Sequence, residues 1–149
     1  PLRILTPEVI AQAQAMVDVH PTPLFTNAEK TTVHWDWVYA VATLDLQATQ
    51  DRDSYCDYEI QALRVGDFAL VALMGEPFVE VQLRIKQQSR ARYTQVVHFS
   101  NGYAGYIPTA DALRRGGYET WTSNWSKFQP EALEQIGEAA IGLVNGLFE

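Results

Sequence analysis

The stretch FALVAL, residues 68–73, constrains the fold most. Six consecutive apolar residues are too few to span a membrane. They are also too evenly apolar for a half-exposed strand, so they predict a central strand rather than an exposed edge. Upstream, YEIQALRV ends at Gly66-Asp67, a dipeptide suited to a tight reversal. Residues 58–74 therefore predict a strand–turn–strand hairpin. Downstream, Gly75-Glu76-Pro77 breaks the strand, and Pro77 suits a helix start. Phe78, Val81 and Ile85 then recur on one helical face through residue 88, with Val79 and Leu83 widening it. TQVVHFS, 94–100, supplies the next strand. Strand, helix, strand is a compact crossover. If its strands are parallel neighbours, their C-terminal ends share one edge of the sheet.

Residues 6–18 predict a helix, with Thr6 as cap, Pro7 in the first turn and Glu8 at the positive dipole end. Its apolar stripe is Val9, Ala13, Met16 and Val17. Residues 33–46 read as a strand, because Trp35, Trp37, Tyr39 and Val41 alternate with Asp36, Val38, Ala40 and Ala42. Residues 47–54, QATQDRDS, read as an exposed excursion, with Asp51 and Asp53 in a solvated turn. Thr109 caps a short helix through Arg115, ended by Gly116-Gly117. Pro130 and Glu131 start a final helix with Leu133, Ile136, Ala140, Leu143, Val144 and Leu147 on its core face. Gly137, Gly142 and Gly146 lower its propensity but permit close packing. The class is α/β or α+β: a mixed sheet with a hairpin, one strand–helix–strand crossover and a packed C-terminal helix. The hairpin argues against a purely parallel sheet.

Charge and cysteine content exclude several functions. The net charge is -7, from 18 acidic residues against 11 Lys and Arg, which disfavours nonspecific nucleic-acid binding. Cys56 is the only cysteine, so neither an intrachain disulfide nor a cysteine-rich metal site is available. No run of 18 apolar residues predicts a transmembrane segment, and residues 1–19 lack a signal-peptide pattern. The chain begins at Pro1, consistent with removal of an upstream segment. The compartment stays open between secreted, periplasmic and membrane-peripheral. The 149 residues suit one domain or a piece of a larger one.

The crossover makes one prediction about chemistry. Glu76 ends the first strand, and the loop 101–106, NGYAGY, follows the second. Adjacent strands would bring Glu76, Tyr103 and Tyr106 to one rim, where open α/β sheets commonly bind ligands. Gly102 and Gly105 permit close backbone approach, and Asn101 can form an Asx turn. A carboxylate and phenols are oxygen donors for a hard or borderline metal, but two such groups do not complete a zinc site. The bland alternatives are a dipole-favoured Glu76 and structural loop tyrosines. His98 reads as a strand residue packed in the core or bonded to backbone. His20 and His34 are too far apart for a local metal motif. Trp35 and Trp37 read as packing on one strand face, and the Trp121 and Trp125 spacing as core or interface. No GxSxG, HExxH, Walker or dinucleotide motif occurs.

The ordered set EIQALRVGDFALVALMGEPFVEVQLRIKQQS, VVHFSNGYAGYIPT and GGYE resembles the neutral/alkaline non-lysosomal ceramidase family. More narrowly, it resembles the last part of that family's catalytic domain. The resemblance is strongest over 59–119 and extends more weakly back to about residue 35. It implies part of a zinc-dependent amidase that hydrolyses ceramide to sphingosine and fatty acid. Carried over by motif, it implies Glu76 in GEPF and Tyr106 in NGYAGY as zinc ligands. It implies Tyr118 in GGYE as an active-site tyrosine assisting the reacting carbonyl, with Asn101, Gly102, Tyr103 and Gly105 supporting the loop. The family's two zinc histidines and its catalytic serine lie in an earlier part of the domain with no counterpart here. The remainder of that domain, in missing sequence or a partner chain, is thus the expected partner, and an amide or lipid the expected substrate. A cleaved or excised piece of an enzyme, and a domain that has lost catalysis, both fit this gap. The competing readings are a noncatalytic assembly or binding module of the same fold, and a small-molecule binding domain using the same rim.

Overall fold

The hairpin and crossover form as their sequence predicts. In the computed structural model, which describes residues 1–149, β1 (Ile60–Val65) turns at Gly66 into β2 (Phe68–Leu73) and the two pair antiparallel. Gly66 has φ +59°, the left-handed geometry this reversal requires. Strand β3 (Glu76–Pro77) follows, then α3 (Val79–Gln88) and β4 (Tyr93–Val97). Strand β4 pairs parallel with β2, giving the order β1-β2-β4 with FALVAL in the centre. Ala69, Val71 and Leu73 are fully buried on one sheet face. Helix α3 buries Val81 and Ile85 from the expected stripe, whereas Val79 and Leu83 are exposed and do not widen it. The helix starts two residues later than Pro77. Glu76 and Pro77 instead pair parallel with β5 (Tyr106–Ile107), forming a second, two-stranded sheet.

Thr109 caps α4 (Ala110–Arg115), its hydroxyl accepting from the Ala112 amide at 3.0 Å. Gly116 and Gly117 stop it with φ of +84° and +123°, and a 3-10 turn, Tyr118–Thr120, follows. Helix α5 (Ala132–Gly146) buries Leu133, Ile136, Ala140 and Val144 and packs on α3 and β1. Of its glycines only Gly137 sits at a close approach, since a Cβ there would lie 3.2 Å from Val81 Cγ2. Gly142 and Gly146 face open space, so the expectation that they serve packing fails. These elements make one compact unit, residues 57–121 and 128–149.

Residues 1–56 and 122–127 make the other unit. Helix α1 (Pro7–Val19) starts as expected, Thr6 Oγ1 accepting from the Val9 amide at 3.4 Å. The predicted strand 33–46 is instead helix α2 (Trp35–Gln50). His34 caps it, Nδ1 accepting from the Asp36 amide at 3.3 Å, and Ala40, Thr43 and Leu46 bury one face. It packs against α1. The expected strand face of Trp35 and Trp37 therefore does not exist, because residues two apart on a helix point about 200° apart. Trp35 lies against Trp125 at 6.2 Å, while the Trp37 indole donates to the His20 carbonyl at 2.8 Å. The first four residues of the expected excursion 47–54 end this helix.

The fold is α+β: five helices, a mixed three-stranded sheet and a small parallel sheet. No helix is long and apolar enough to cross a membrane.

Candidate functional site

The loop after β4 is tied back along its whole length. The Phe99 amide donates to the Gly75 carbonyl at 3.1 Å, and the Ser100 amide to the Leu73 carbonyl at 3.0 Å. Gly75 donates to the Gly102 carbonyl at 3.3 Å, and Glu76 to the Gly105 carbonyl at 2.8 Å. Asn101 takes φ +63°, and its amide donates to Glu59 Oε2 at 2.7 Å. The side chain thus ties the loop to the start of the hairpin rather than closing an Asx turn. Gly102 leaves room for Met74, whose Cε lies 2.6 Å from where a Cβ would sit. Gly105 takes φ +78°, and its carbonyl lies where a Cβ on Gly75 would fall.

This lacing sets Glu76 opposite Tyr106 in parallel register. Directly opposed residues on paired strands project to the same face, with backbones about 4.8 Å apart. The Tyr106 hydroxyl lies 2.8 Å from the Tyr118 hydroxyl, and their rings meet edge-on at 5.6 Å. Tyr103 stands apart from that bond. Its ring stacks on Phe99 at 5.9 Å, and Phe99, at φ +55°, leans on His98 at 4.9 Å.

The electrostatics join the same groups. The hydrogen bond to Tyr118 pushes the Tyr106 phenol well above its ordinary value, helped by desolvation and the Glu76 charge. Tyr103 is raised too, first by desolvation and then by Glu76 and Tyr118. No lysine or arginine forms an ion pair with Glu76. The rim is therefore a carboxylate among phenols without a cationic side chain paired to it, a donor set suited to a cation. No group of three or more His, Cys, Asp or Glu side chains is arranged to hold a metal.

A crevice of about 380 Å³ opens beside Glu76 and Tyr106. Leu73, Phe78 and Val97 contribute apolar wall, and His98 and Glu119 add polar groups. His98 was expected to pack in the core or bond to backbone. It lies one residue past β4 and is exposed, since the strand ends at Val97. Glu119, the last residue of the GGYE motif, carries no role in the sequence reading, although it directly follows Tyr118.

The class defined here is an α+β unit carrying a carboxylate-and-phenol rim beyond the parallel strand ends. No protein-family model matches the chain, and no curated protein matches it. Among solved structures, it is similar to the neutral ceramidase from Pseudomonas aeruginosa, at 21% identity and a TM-score of 0.52. That likeness covers 59% of this chain and 15% of the other. A ceramidase complexed with "C2" is similar at 20% identity and a TM-score of 0.52, over 60% of this chain and 14% of the other. The likeness is one of fold: about 60% of the chain is ceramidase-like, and it spans about one seventh of the length of those proteins.

Proposed function

We propose that this chain is part of the catalytic domain of a zinc-dependent amide hydrolase of the ceramidase kind. The observation that carries the reading is the convergence of Glu76, Tyr106 and Tyr118, with Glu76 registered opposite Tyr106 and the two hydroxyls 2.8 Å apart. The ceramidase-like fold of this segment supports it. Glu76 and Tyr106 would hold the metal. Two histidines and a serine would come from the remainder of the domain, in missing sequence or a partner chain. Bound zinc would polarise an amide carbonyl and lower the pKa of a coordinated water.

The chain's own residues have distinct tasks. Glu76 supplies negative charge at the rim and is fixed by its backbone bond to Gly105. The Tyr106 and Tyr118 hydroxyls share one hydrogen bond at 2.8 Å, which orients both phenols. When an acyl oxygen gains charge, the Tyr118 hydroxyl is the donor within the site that can turn to it. Asn101, Gly102, Tyr103 and Gly105 hold the loop in place. The apolar wall of the crevice suits the hydrocarbon part of an amphiphilic amide. Ceramide, cleaved to sphingosine and fatty acid, is the proposed substrate.

The test is reconstitution of the chain with the sequence that supplies the histidines, followed by zinc analysis and amide hydrolysis. Tyr106→Phe and Glu76→Gln are each expected to lower bound zinc. Tyr118→Phe is expected to retain zinc and lose about 100- to 1000-fold in turnover, the loss of one charge-stabilising donor. Unchanged zinc content and turnover in folded Tyr106→Phe and Glu76→Gln would overturn the reading.

A further inference from the structure

The three-stranded sheet is covered on one face only within its unit. Ala69, Val71 and Leu73 are buried on the side where α3 and α5 pack. The register places the alternate residues on the other side, with Leu63 opposite Leu70, Val65 opposite Phe68, and Phe68 opposite Tyr93. There Leu63 is 58% exposed, Val65 74%, Phe68 38% and Tyr93 57%. Adjoining large apolar side chains on one sheet face form a patch, unlike singly scattered surface residues. Strand β2 is apolar on both sides, the pattern of a strand with a layer against each face. One of those layers is absent from its unit.

We infer that this bare face docks an apolar layer from the remainder of the ceramidase-like domain. The inference rests on the reading above, that the chain is part of a longer catalytic domain. The similar ceramidases match this fold over only 15% and 14% of their length, so the matching segment is a small part of a much longer chain there. The layer it fits is apolar at its centre. An acidic rim would meet Arg92, whose guanidinium lies 5.3 Å from the Tyr93 ring centre.

Two other occupants are outcomes of the labelling test. At about 200 Å² per large side chain, the four exposures amount to roughly 450 Å², about the apolar share of a standard interface side of about 800 Å², so area alone does not separate a second copy from the rest of the domain. A lipid surface meets an objection of position. The patch gathers where β1 ends and β2 and β4 begin, whereas Glu76 and Tyr106 follow the opposite strand ends. At about 3.3 Å per residue, the two regions lie roughly 16 Å or more apart along the strands. A membrane on the patch would hold the rim away from its lipid.

Cysteine accessibility tests this. Leu63→Cys and Val65→Cys, each in a Cys56→Ser background, are labelled with a maleimide in the 149-residue chain and in the longest gene product containing it. Glu29→Cys, at an exposed position of the other unit, is the control. Rapid labelling is expected in the 149-residue chain. In the longer product, labelling at 63 and 65 should slow by about a hundredfold, as at a site that reacts only through local opening, with Glu29→Cys unchanged. Circular dichroism checks that each variant is folded, and Tyr93→Cys is a second probe of the same face. Equal rates in both proteins, or a gene product that extends no further, would overturn the inference. So would light scattering that finds a dimer of the 149-residue chain protecting these cysteines, or protection by phosphatidylcholine–phosphatidylglycerol vesicles. The readout needs neither metal nor turnover. A longer product that protects both positions but hydrolyses no amide keeps the docking face and removes the catalytic reading. An active product with both positions open does the reverse.

Discussion

Replacing Gly75 with alanine tests the contact that holds the rim together. A Cβ on Gly75 would fall 2.5 Å from the Gly105 carbonyl oxygen and 3.0 Å from the Ala104 and Gly105 amide nitrogens. Ordinary carbon–oxygen contacts begin at about 3.3 Å. The obstacle is backbone, so no side chain can swing aside. Gly75 also has φ +62°, which costs an L-residue about 1–2 kcal/mol. Relieving the clash stretches the bonds from Glu76 to Gly105 and from Gly75 to Gly102. At about 1 kcal/mol each, the total reaches about 3–4 kcal/mol. Gly66→Ala is the matched control, because Gly66 has φ +59° with nothing within 4 Å of its Cβ position. It should cost only the conformational 1–2 kcal/mol, about. Amide hydrogen exchange in β2 and β4 reads the opening of this unit directly. Protection should fall about 100- to 1000-fold in Gly75→Ala and about tenfold in Gly66→Ala. If the two variants agree within about 0.5 kcal/mol, the contact with Gly105 contributes nothing and the reasoning fails.

Two further outcomes follow from the same unit. Burial raises the Tyr58 phenol, whose hydroxyl donates to the Met74 carbonyl at 2.7 Å. Below an unfolded value of about 10 it is neutral in both states. Above that the unfolded chain ionises while the folded chain keeps its proton, so stability falls as pH rises. Urea unfolding across alkaline pH should therefore give a shallower decline in Tyr58→Phe, along with a loss of about 1 kcal/mol at neutral pH from the missing bond; an unchanged alkaline slope would contradict it. In α5, Gly142→Ala should raise urea-unfolding stability by about 1 kcal/mol, since its Cβ meets nothing within 4 Å. Gly137→Ala should gain less or lose, because its Cβ comes 3.2 Å from Val81 Cγ2. Equal gains would mean that α3 yields freely at that contact.

The elements that position the rim were legible because each carries its own punctuation. Gly66-Asp67 fixes the reversal, Gly75 ends β2, and Thr109 caps α4. Residues 33–46 misled because Trp35, Trp37 and Tyr39 alternate, and three aromatics two apart mimic a pleated face. The competing signal was Ala40, Thr43 and Leu46 at helical spacing, in a run of 16 residues, far longer than the usual strand of about 5–6. Small residues carry little weight in a hydrophobicity pattern, yet they let α2 lie close to α1. His34 is an uncommon cap, so the helix start gave no warning. The ladder of β3 and β5 was not legible at all. Two residues have no periodicity, and their pairing arises from the loop lacing rather than from strand propensity.

That short ladder explains why the rim is well defined despite being built from loop residues. Chain order alone brings Glu76 and the NGYAGY loop to one edge, but an edge several residues wide leaves many pairings open. The bonds from Glu76 to Gly105 and from Phe78 to Ile107, at 2.8 and 3.0 Å, select one. They put Tyr106, and not Tyr103, opposite the carboxylate. Tyr103 is spent on stacking with Phe99. The selected pair then creates its own electrostatic demand. The bond to Tyr118 raises the Tyr106 phenol first and desolvation the Tyr103 phenol, the Glu76 carboxylate adds to both, and no lysine or arginine forms an ion pair with it. Such a rim favours whatever positive centre the surrounding chain can complete, since a bound cation would lower the phenol and stabilise the carboxylate together.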